Sequence, residues 1–141
     1  MVIRKYVDSD FDGVFKILKE SFPEVGLEDY PLEISSLQLD NSHVQYVAIC
    51  DDQVVGYTLV RKSFDPIIRR VNYWIDYVCV DSSYRNRGVA SGIFGQIEKD
   101  AKNDGVLYLQ LTSSRFREDA RKLYLKLGFS IRESDIFRKV I

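Results

Sequence analysis

The residues best suited to ligand chemistry lie between Val78 and Ala90, where an apolar strand and a short polar turn lead into Arg85-x-x-Gly88-x-Ala90 at the start of a helix. The first N–H groups of a helix have no acceptor within it, and that end carries partial positive charge. Glycine removes a side chain that would block a ligand, and the arginines add full charge. This pattern predicts an anion site that holds a phosphate or diphosphate.

Two common phosphate-binding motifs do not match this turn. A nucleoside-triphosphate P-loop requires Gly-x-x-x-x-Gly-Lys-Ser/Thr, and the sequence lacks it. The dinucleotide fingerprint requires Gly-x-Gly-x-x-Gly, whereas this turn contains only Gly88. The anion must therefore belong to a third class of ligand.

The composition of the chain restricts the classes of partner and cofactor that we expect. The length of 141 residues predicts a single domain that covers residues 1–141. The formal net charge of −1 does not favour nucleic acid as a partner. Cys50 and Cys79 lie in apolar runs and are interpreted as buried and reduced. With a single histidine, His43, in no ligand-like spacing, no metal is expected. The lack of a long apolar segment predicts a cytoplasmic protein without a membrane partner.

Hydrophobic periodicity predicts an α/β (α+β) fold in the order β-α-α-β-β-β-α-β-α-β-β. A strand–helix–strand unit over 71–112 implies one parallel pair, and the hairpins imply antiparallel pairing elsewhere. The outcome is a mixed, mostly antiparallel sheet flanked by helices. The predicted strands are 2–7, 44–50, 54–62, 71–80, 106–112, 129–132 and 137–140, and the helices follow residue 10, cover 28–39, follow Gly88 and cover 118–127.

Two motifs in this arrangement resemble signatures of the GNAT acetyltransferases. The Arg85-x-x-Gly88-x-Ala90 element is similar to the family's coenzyme A signature, Arg/Gln-x-x-Gly-x-Gly/Ala. One strand downstream, the segment 120–129 is similar to a second landmark, Ala-x-x-Leu-Tyr-x-x-x-Gly-Phe. The predicted element order also matches the family along the whole chain. The resemblance implies a GNAT-type acyl-CoA N-acyltransferase fold with acetyl-CoA (coenzyme A) as co-substrate.

The resemblance also implies which residues bind this co-substrate. The backbone of Val78, Cys79 and Val80 would pair with the pantetheine arm as another strand would. Many members have asparagine where this chain has Arg117, so the arginine would instead reach a cofactor phosphate or a nearby acidic group. The diphosphate would be held by the backbone amides of Arg85, Asn86, Arg87, Gly88, Val89 and Ala90.

Two residues are candidates for catalysis. The resemblance places Tyr124 near the cofactor sulfur, where it would protonate the departing thiolate; alternatively it is a packing residue, since it shares helical spacing with Leu123 and Leu127. Asp76 interrupts an apolar strand two residues before Val78, and alternation places both on one side of the pleat. We therefore expect Asp76 to act as the general base, directly or through water, or else to be a structural carboxylate.

The sequence gives less information about the molecule that accepts the acetyl group. The segment 20–40 holds six acidic residues and no lysine or arginine, which favours either a negative rim that attracts cationic amines or an ordinary solvated face. We expect a small-molecule primary amine that attacks acetyl-CoA directly in a ternary complex. A protein N-terminus or lysine as the acceptor, or a non-catalytic coenzyme A-binding module, are the alternatives. A homodimer through the closing strands stays open.

Overall fold

A computed structural model describes residues 1–29, 33–39 and 41–141 of the chain. The helices are α1 (Phe11–Ser21), α2 (Val89–Asn103) and α3 (Glu118–Lys126). Short 3₁₀ turns cover Asp8–Asp10, Pro23–Val25, Leu27–Asp29, Ser35–Leu39 and Ser82–Tyr84. The strands are β1 (Val2–Lys5), β2 (His43–Cys50), β3 (Gln53–Asp65), β4 (Arg70–Val80) and β5 (Leu109–Gln110).

The five strands form one sheet in the order β1-β2-β3-β4-β5. Neighbours in the first four strands are antiparallel, and β5 pairs parallel with β4. Between β4 and β5, only Tyr73 with Leu109 and Trp74 with Gln110 are paired. The predicted mixed, mostly antiparallel sheet and its strand–helix–strand unit are therefore confirmed.

Helices cover both faces of the sheet. The α1 face and the α2 face each bury one apolar cluster, because alternate residues of every strand point to opposite faces. The α1 cluster contains Tyr6, Val14, Ile17, Leu18, Ile34, Val47, Tyr57 and Cys79. The α2 cluster contains Tyr46, Ala48, Val55, Val60, Tyr73, Ile75, Val89, Ile93, Phe94, Ile97 and Ala101.

Close packing and two hydrogen bonds fix α2 on the sheet. A Cβ atom added to Gly56 would lie 2.8 Å from Val89 Cγ1 and 3.0 Å from Ile93 Cδ1, so glycine lets the first turns of α2 approach β3 closely. At the other end of the helix, the Tyr46 hydroxyl donates to Asp100 Oδ2 at 2.6 Å. The Tyr73 hydroxyl donates to Asp104 just beyond the helix, with 2.8 Å between the oxygens.

An ion pair joins β1 to the start of α1. The Arg4 guanidinium donates to both carboxylate oxygens of Asp10, at 2.7 and 2.9 Å, and the Val7 N–H donates to the same carboxylate at 2.9 Å. The Asp10 side chain is 6% exposed, whereas that of Arg4 is 41% exposed. Burial alone would raise the pKa of Asp10, but these hydrogen bonds bring it below its ordinary value.

One predicted helix and two predicted strands are wrong, and a third predicted strand is shorter than expected. The helix expected over 28–39 is replaced, in the part that the structure describes, by the 3₁₀ turns that end at Asp29 and Leu39; residues 30–32 lie outside that part. The strand expected over 106–112 shortens to β5, because β4 and β5 pair at only two positions. The closing pair over 129–132 and 137–140 is also wrong: from Gly128 onward the chain contains no strand.

Along the described residues, no helix is long and apolar enough to cross a bilayer.

Candidate functional site

The edge of β4 that faces β5 is open over its second half. On the other side, β3 pairs with β4 as far as Val80. Toward β5, pairing ends at Trp74, so residues 75–80 have no strand partner there among the described residues. Val78, Cys79 and Val80 lie in this open part. An extended chain with amide groups, such as a pantetheine arm, can therefore pair there as an added strand would.

The turn after β4 presents the uncapped start of α2. Gly88 is the N-cap residue with φ +78°, and Asn86 is also left-handed with φ +61°. Turns with such residues direct backbone N–H groups to one concave side. Among the residues with a described structure, no side chain caps the helix, and its first turn has no acidic residue. The exposed side chains of Arg85 and Arg87 add positive charge at this turn.

The space above Gly88 suits a ligand. A Cβ atom at this position would meet no atom within 4 Å, so the turn opens to solvent on that side. The neighbouring Arg87 guanidinium lies 5.2 Å from the centre of the Tyr84 ring, which limits its mobility. The predicted residues 85–90 therefore fit a diphosphate by geometry and by charge.

Tyr124 is positioned by the end of α3. Gly128, with φ +93°, follows the helix, and the Phe129 N–H donates to the Tyr124 carbonyl at 3.0 Å in a Schellman motif. The Tyr124 ring packs edge-on to Phe129 and Phe94, with centroids 6.1 and 5.7 Å away. The Gly-Phe pair of the second motif thus fixes this ring. Both the packing role and the predicted chemical role of Tyr124 are compatible with this placement.

Electrostatic interactions link Tyr124 to the open edge of β4. Burial raises the pKa of the Tyr124 hydroxyl, while the positive charge of Arg117 opposes this shift. Burial also raises the pKa of the buried Cys79 thiol, against a hydrogen bond with Ser21 and the charges of Arg117 and Arg85. Arg117 precedes Tyr124 by seven residues, so both lie on one face of the α3 region. At neutral pH the phenol and the thiol are protonated, which suits a proton donor and does not suit a nucleophilic cysteine.

Asp76 lies at a β-bulge and pairs with Arg61. Leu59 opposes Tyr77 and Val60 opposes Ile75, which leaves Asp76 as the extra residue of β4. Its carboxylate accepts hydrogen bonds from Arg61 Nε at 2.8 Å and Nη2 at 3.0 Å. Asp76 remains a candidate base, but both of its oxygens are engaged by this guanidinium.

The expectation that Asp76 shares a face with Val78 is wrong. Ile75 and Val78 both pack in the α2 cluster although they are three residues apart. The extra residue of the bulge shifts the alternation, so Asp76 and its partner lie on the α1 face. That face also carries Cys79, so Asp76 lies on the α1 side of the open edge.

The end of α1 contacts the site through Glu20, which the sequence assigned only to the acidic segment, and through Phe22, which it assigned only to the apolar helix face. Glu20 Oε1 accepts a hydrogen bond from the Ser82 N–H at 3.2 Å, at the beginning of the turn that leads into α2. The Phe22 ring packs edge-on to Tyr77, with centroids 5.4 Å apart. The available signal for Glu20 was its position in the acidic segment, whereas Arg61 carried only the signal of a charge in an apolar strand. Among described residues, no group of three or more His, Cys, Asp or Glu could hold a metal ion.

Curated proteins with similar sequences are longer than this chain. The chain is 29% identical, over 131 residues or 92% of its length, to a curated protein of unknown function from Mycobacterium leprae. The chain spans about a third of the length of the curated relatives that it matches, 34% and 37%. The whole lengths of those proteins therefore contain sequence that has no counterpart here.

Solved structures share the fold at low identity. A ribosomal-protein-alanine N-acetyltransferase from Brucella melitensis matches with a TM-score of 0.82 and 20% identity, covering 99% of this chain and 100% of that one. An aminoglycoside acetyltransferase from an uncultured soil sample matches with a TM-score of 0.83 and 11% identity, covering 99% and 95%. The acetyltransferase (GNAT) family model matches residues 11–129. This match includes the turn at residues 85–90, the open strand edge and the tyrosine on α3, and the chain belongs to the GNAT family of acetyltransferases.

Proposed function

We propose that this chain transfers an acetyl group from acetyl-CoA to a primary amine of a small molecule, by direct attack in a ternary complex. The observation that carries the proposal is the open edge of β4 beside the uncapped start of α2. One molecule with an amide-containing arm and a diphosphate can engage both features at once. Residues 1–141 would form one catalytic domain, and a cytoplasmic location is part of the proposal.

The chemistry assigns one task to each group. The amine nitrogen forms a bond to the acetyl carbon, the carbon–sulfur bond breaks, and the sulfur receives the proton of the Tyr124 hydroxyl. The amine gives up its own proton to Asp76, directly or through water. A backbone N–H in the stretch 78–80 would donate to the carbonyl oxygen as negative charge develops there. The protonated Cys79 supports direct attack without a covalent enzyme intermediate.

Gly88→Glu tests the co-substrate site. A side chain with negative charge above the turn should abolish binding of coenzyme A and acetyl-CoA in calorimetry, through steric bulk and charge repulsion. Gly105→Glu is a matched control, because Gly105 also has a positive φ (+68°) and open space around its Cα. The control should bind as the original protein does. Unchanged affinity in a folded Gly88→Glu protein would contradict the proposal.

Acceptor panels separate the remaining alternatives. A protein or peptide acceptor, modified at its N-terminus or at a lysine, is favoured by the likeness to the ribosomal-protein-alanine N-acetyltransferase. A small-molecule acceptor is favoured by the likeness to the aminoglycoside acetyltransferase. Release of free thiol should be measured with small amines and with short peptides. Binding of acetyl-CoA without thiol release from any acceptor would favour a non-catalytic coenzyme A-binding module.

A further inference from the structure

The ion pair between Arg61 and Asp76 is accessible on the α1 face. The side chains are 49% and 23% exposed, so a small molecule can reach both partners. The Arg61 guanidinium lies 5.9 Å from the centre of the Trp74 ring, opposite it on the neighbouring strand. Asp76 precedes Cys79 by three residues, or about 10 Å along a strand. The pair therefore flanks the route by which an amine would approach the open edge of β4.

Each partner keeps unused hydrogen-bonding capacity. A guanidinium has five N–H donors, and Arg61 directs one Nε–H and one Nη2–H to Asp76. Its Nη1 group donates no hydrogen bond to any residue in the ranges that the structure describes. Each Asp76 oxygen accepts one hydrogen bond from Arg61 and can accept another. The pair thus presents a cationic donor edge next to an anionic acceptor edge.

Nearby acidic residues are partly compensated. Glu28 pairs with Lys19 at 3.2 Å, and Glu20 accepts the hydrogen bond from Ser82. Asp40 and the side chain of Asp29 lie outside the described part of the chain. The ion pair with Lys19 offsets the charge of Glu28, whereas the hydrogen bond from Ser82 leaves the charge of Glu20 in place. The Arg61–Asp76 pair itself has no net charge, so it does not favour a polycation over a zwitterion.

We propose that Arg61 and Asp76 select a zwitterionic acceptor, a small amino acid that places its ammonium beside Asp76 and its carboxylate on the free edge of Arg61. This inference rests on the proposed function. Charge-assisted hydrogen bonds between guanidinium and carboxylate are among the strong ones, and the fixed geometry of Arg61 reduces the cost of forming them. The ammonium end then faces the acetyl group, because Asp76 lies on the route to the open edge.

A panel of ω-amino acids of two to six carbons tests the inference, each compared with its carboxamide and with the diamine of the same length. Thiol release should give a kcat/KM for the best amino acid about ten- to a hundredfold above that for its carboxamide. In Arg61→Met this advantage should disappear, and the diamine should become the best substrate because Asp76 is left uncompensated. Arg61→Lys, which keeps the charge without the fork, should lie between.

Lys62→Met is the matched control, because Lys62 follows Arg61 on β3 and lies over Tyr73 on the opposite face. It should keep the preference for amino acids. Equal or better rates with the carboxamide or the diamine in the original protein would overturn the inference alone, as would an Arg61→Met protein that loses activity equally toward all three acceptors. Absence of thiol release with every acceptor, in protein that binds acetyl-CoA by calorimetry, would overturn the proposed function as well.

Discussion

At Tyr124 the packing role belongs to the ring and the predicted chemical role belongs to the hydroxyl, so the two roles are compatible. The ring is held between Phe94 and Phe129, and the hydroxyl is affected by Arg117 and Cys79 at the edge of β4. Arg117, which stands where many family members have asparagine, acts on this end of the site. A phosphate contact of Arg117 stays a prediction, as does the catalytic role of Tyr124.

Tyr124→Phe separates the two tasks. Phenylalanine keeps the ring contacts and removes the proton donor, so kcat should fall about a hundredfold or more while the melting temperature stays nearly unchanged. Burial raises the pKa of Tyr124, so the original enzyme should keep its proton donor through neutral pH. Rates of thiol release and thermal melts check this. An unchanged kcat would leave Tyr124 as a packing residue.

At the scale of elements, the site depends on where α2 meets β3. The side chains of Val89 and Ile93 approach Gly56 so closely that no other residue fits without movement. This contact sets the distance of the helix start from the sheet, and the start of the helix is the proposed diphosphate site. The packing of α2 and the affinity for acetyl-CoA should therefore change together.

Gly56→Ala tests this coupling. The added methyl overpacks the contact, so the free energy of unfolding should fall by about 1–3 kcal/mol and the affinity for acetyl-CoA should weaken. Gly95→Ala is the matched control on α2, where an added Cβ meets nothing within 4 Å. It should raise stability by about 0.5–1 kcal/mol and leave affinity unchanged. Denaturant unfolding and calorimetry would measure both. Equal stability of Gly56→Ala and the original protein would contradict the packing argument.

For the whole molecule, three helices and the sense of the strand pairing were predictable from the sequence, whereas the length and register of the pairing were not. The helices α1, α2 and α3 follow the spacing of their own apolar residues, and this spacing does not depend on which element packs against the helix. The strands expected near the end of the chain have suitable residues, but a strand requires an edge to pair with, and β5 is only two residues long. The pairing of Arg61 with Asp76 depends on a bulge that shifts the register by one, which alternation does not reveal.

Exposed apolar residues near the C-terminus bear on assembly. The side chains of Ile136, Phe137 and Val140 are 70%, 94% and 86% exposed. A homodimer through this segment stays a prediction. Sedimentation velocity over a range of protein concentrations would test it.

Stability against acid is a property of the whole molecule to which Asp10 contributes. Its pKa is below the ordinary value of 3.8, so its stabilising contribution is present above that value and is lost as the pH falls through the lowered pKa. Asp10→Asn should cost about 1–3 kcal/mol at neutral pH, toward the lower end because Arg4 is half exposed. The difference should shrink below pH 3.8. Unfolding free energies against pH would show this, and a difference independent of pH would contradict it.

The two tyrosine hydroxyl groups near the end of α2 have a consequence for the distant anion site. They join the sheet to Asp100 and Asp104, which lie about 16 and 22 Å along the helix axis from Val89, the first residue of α2. Because α2 is held near its C-terminal end, we expect it neither to slide nor to rotate when a negatively charged group binds at its N-terminal end. We therefore expect the amides of the proposed diphosphate site to be aligned before acetyl-CoA binds, so that little conformational entropy is lost at that end.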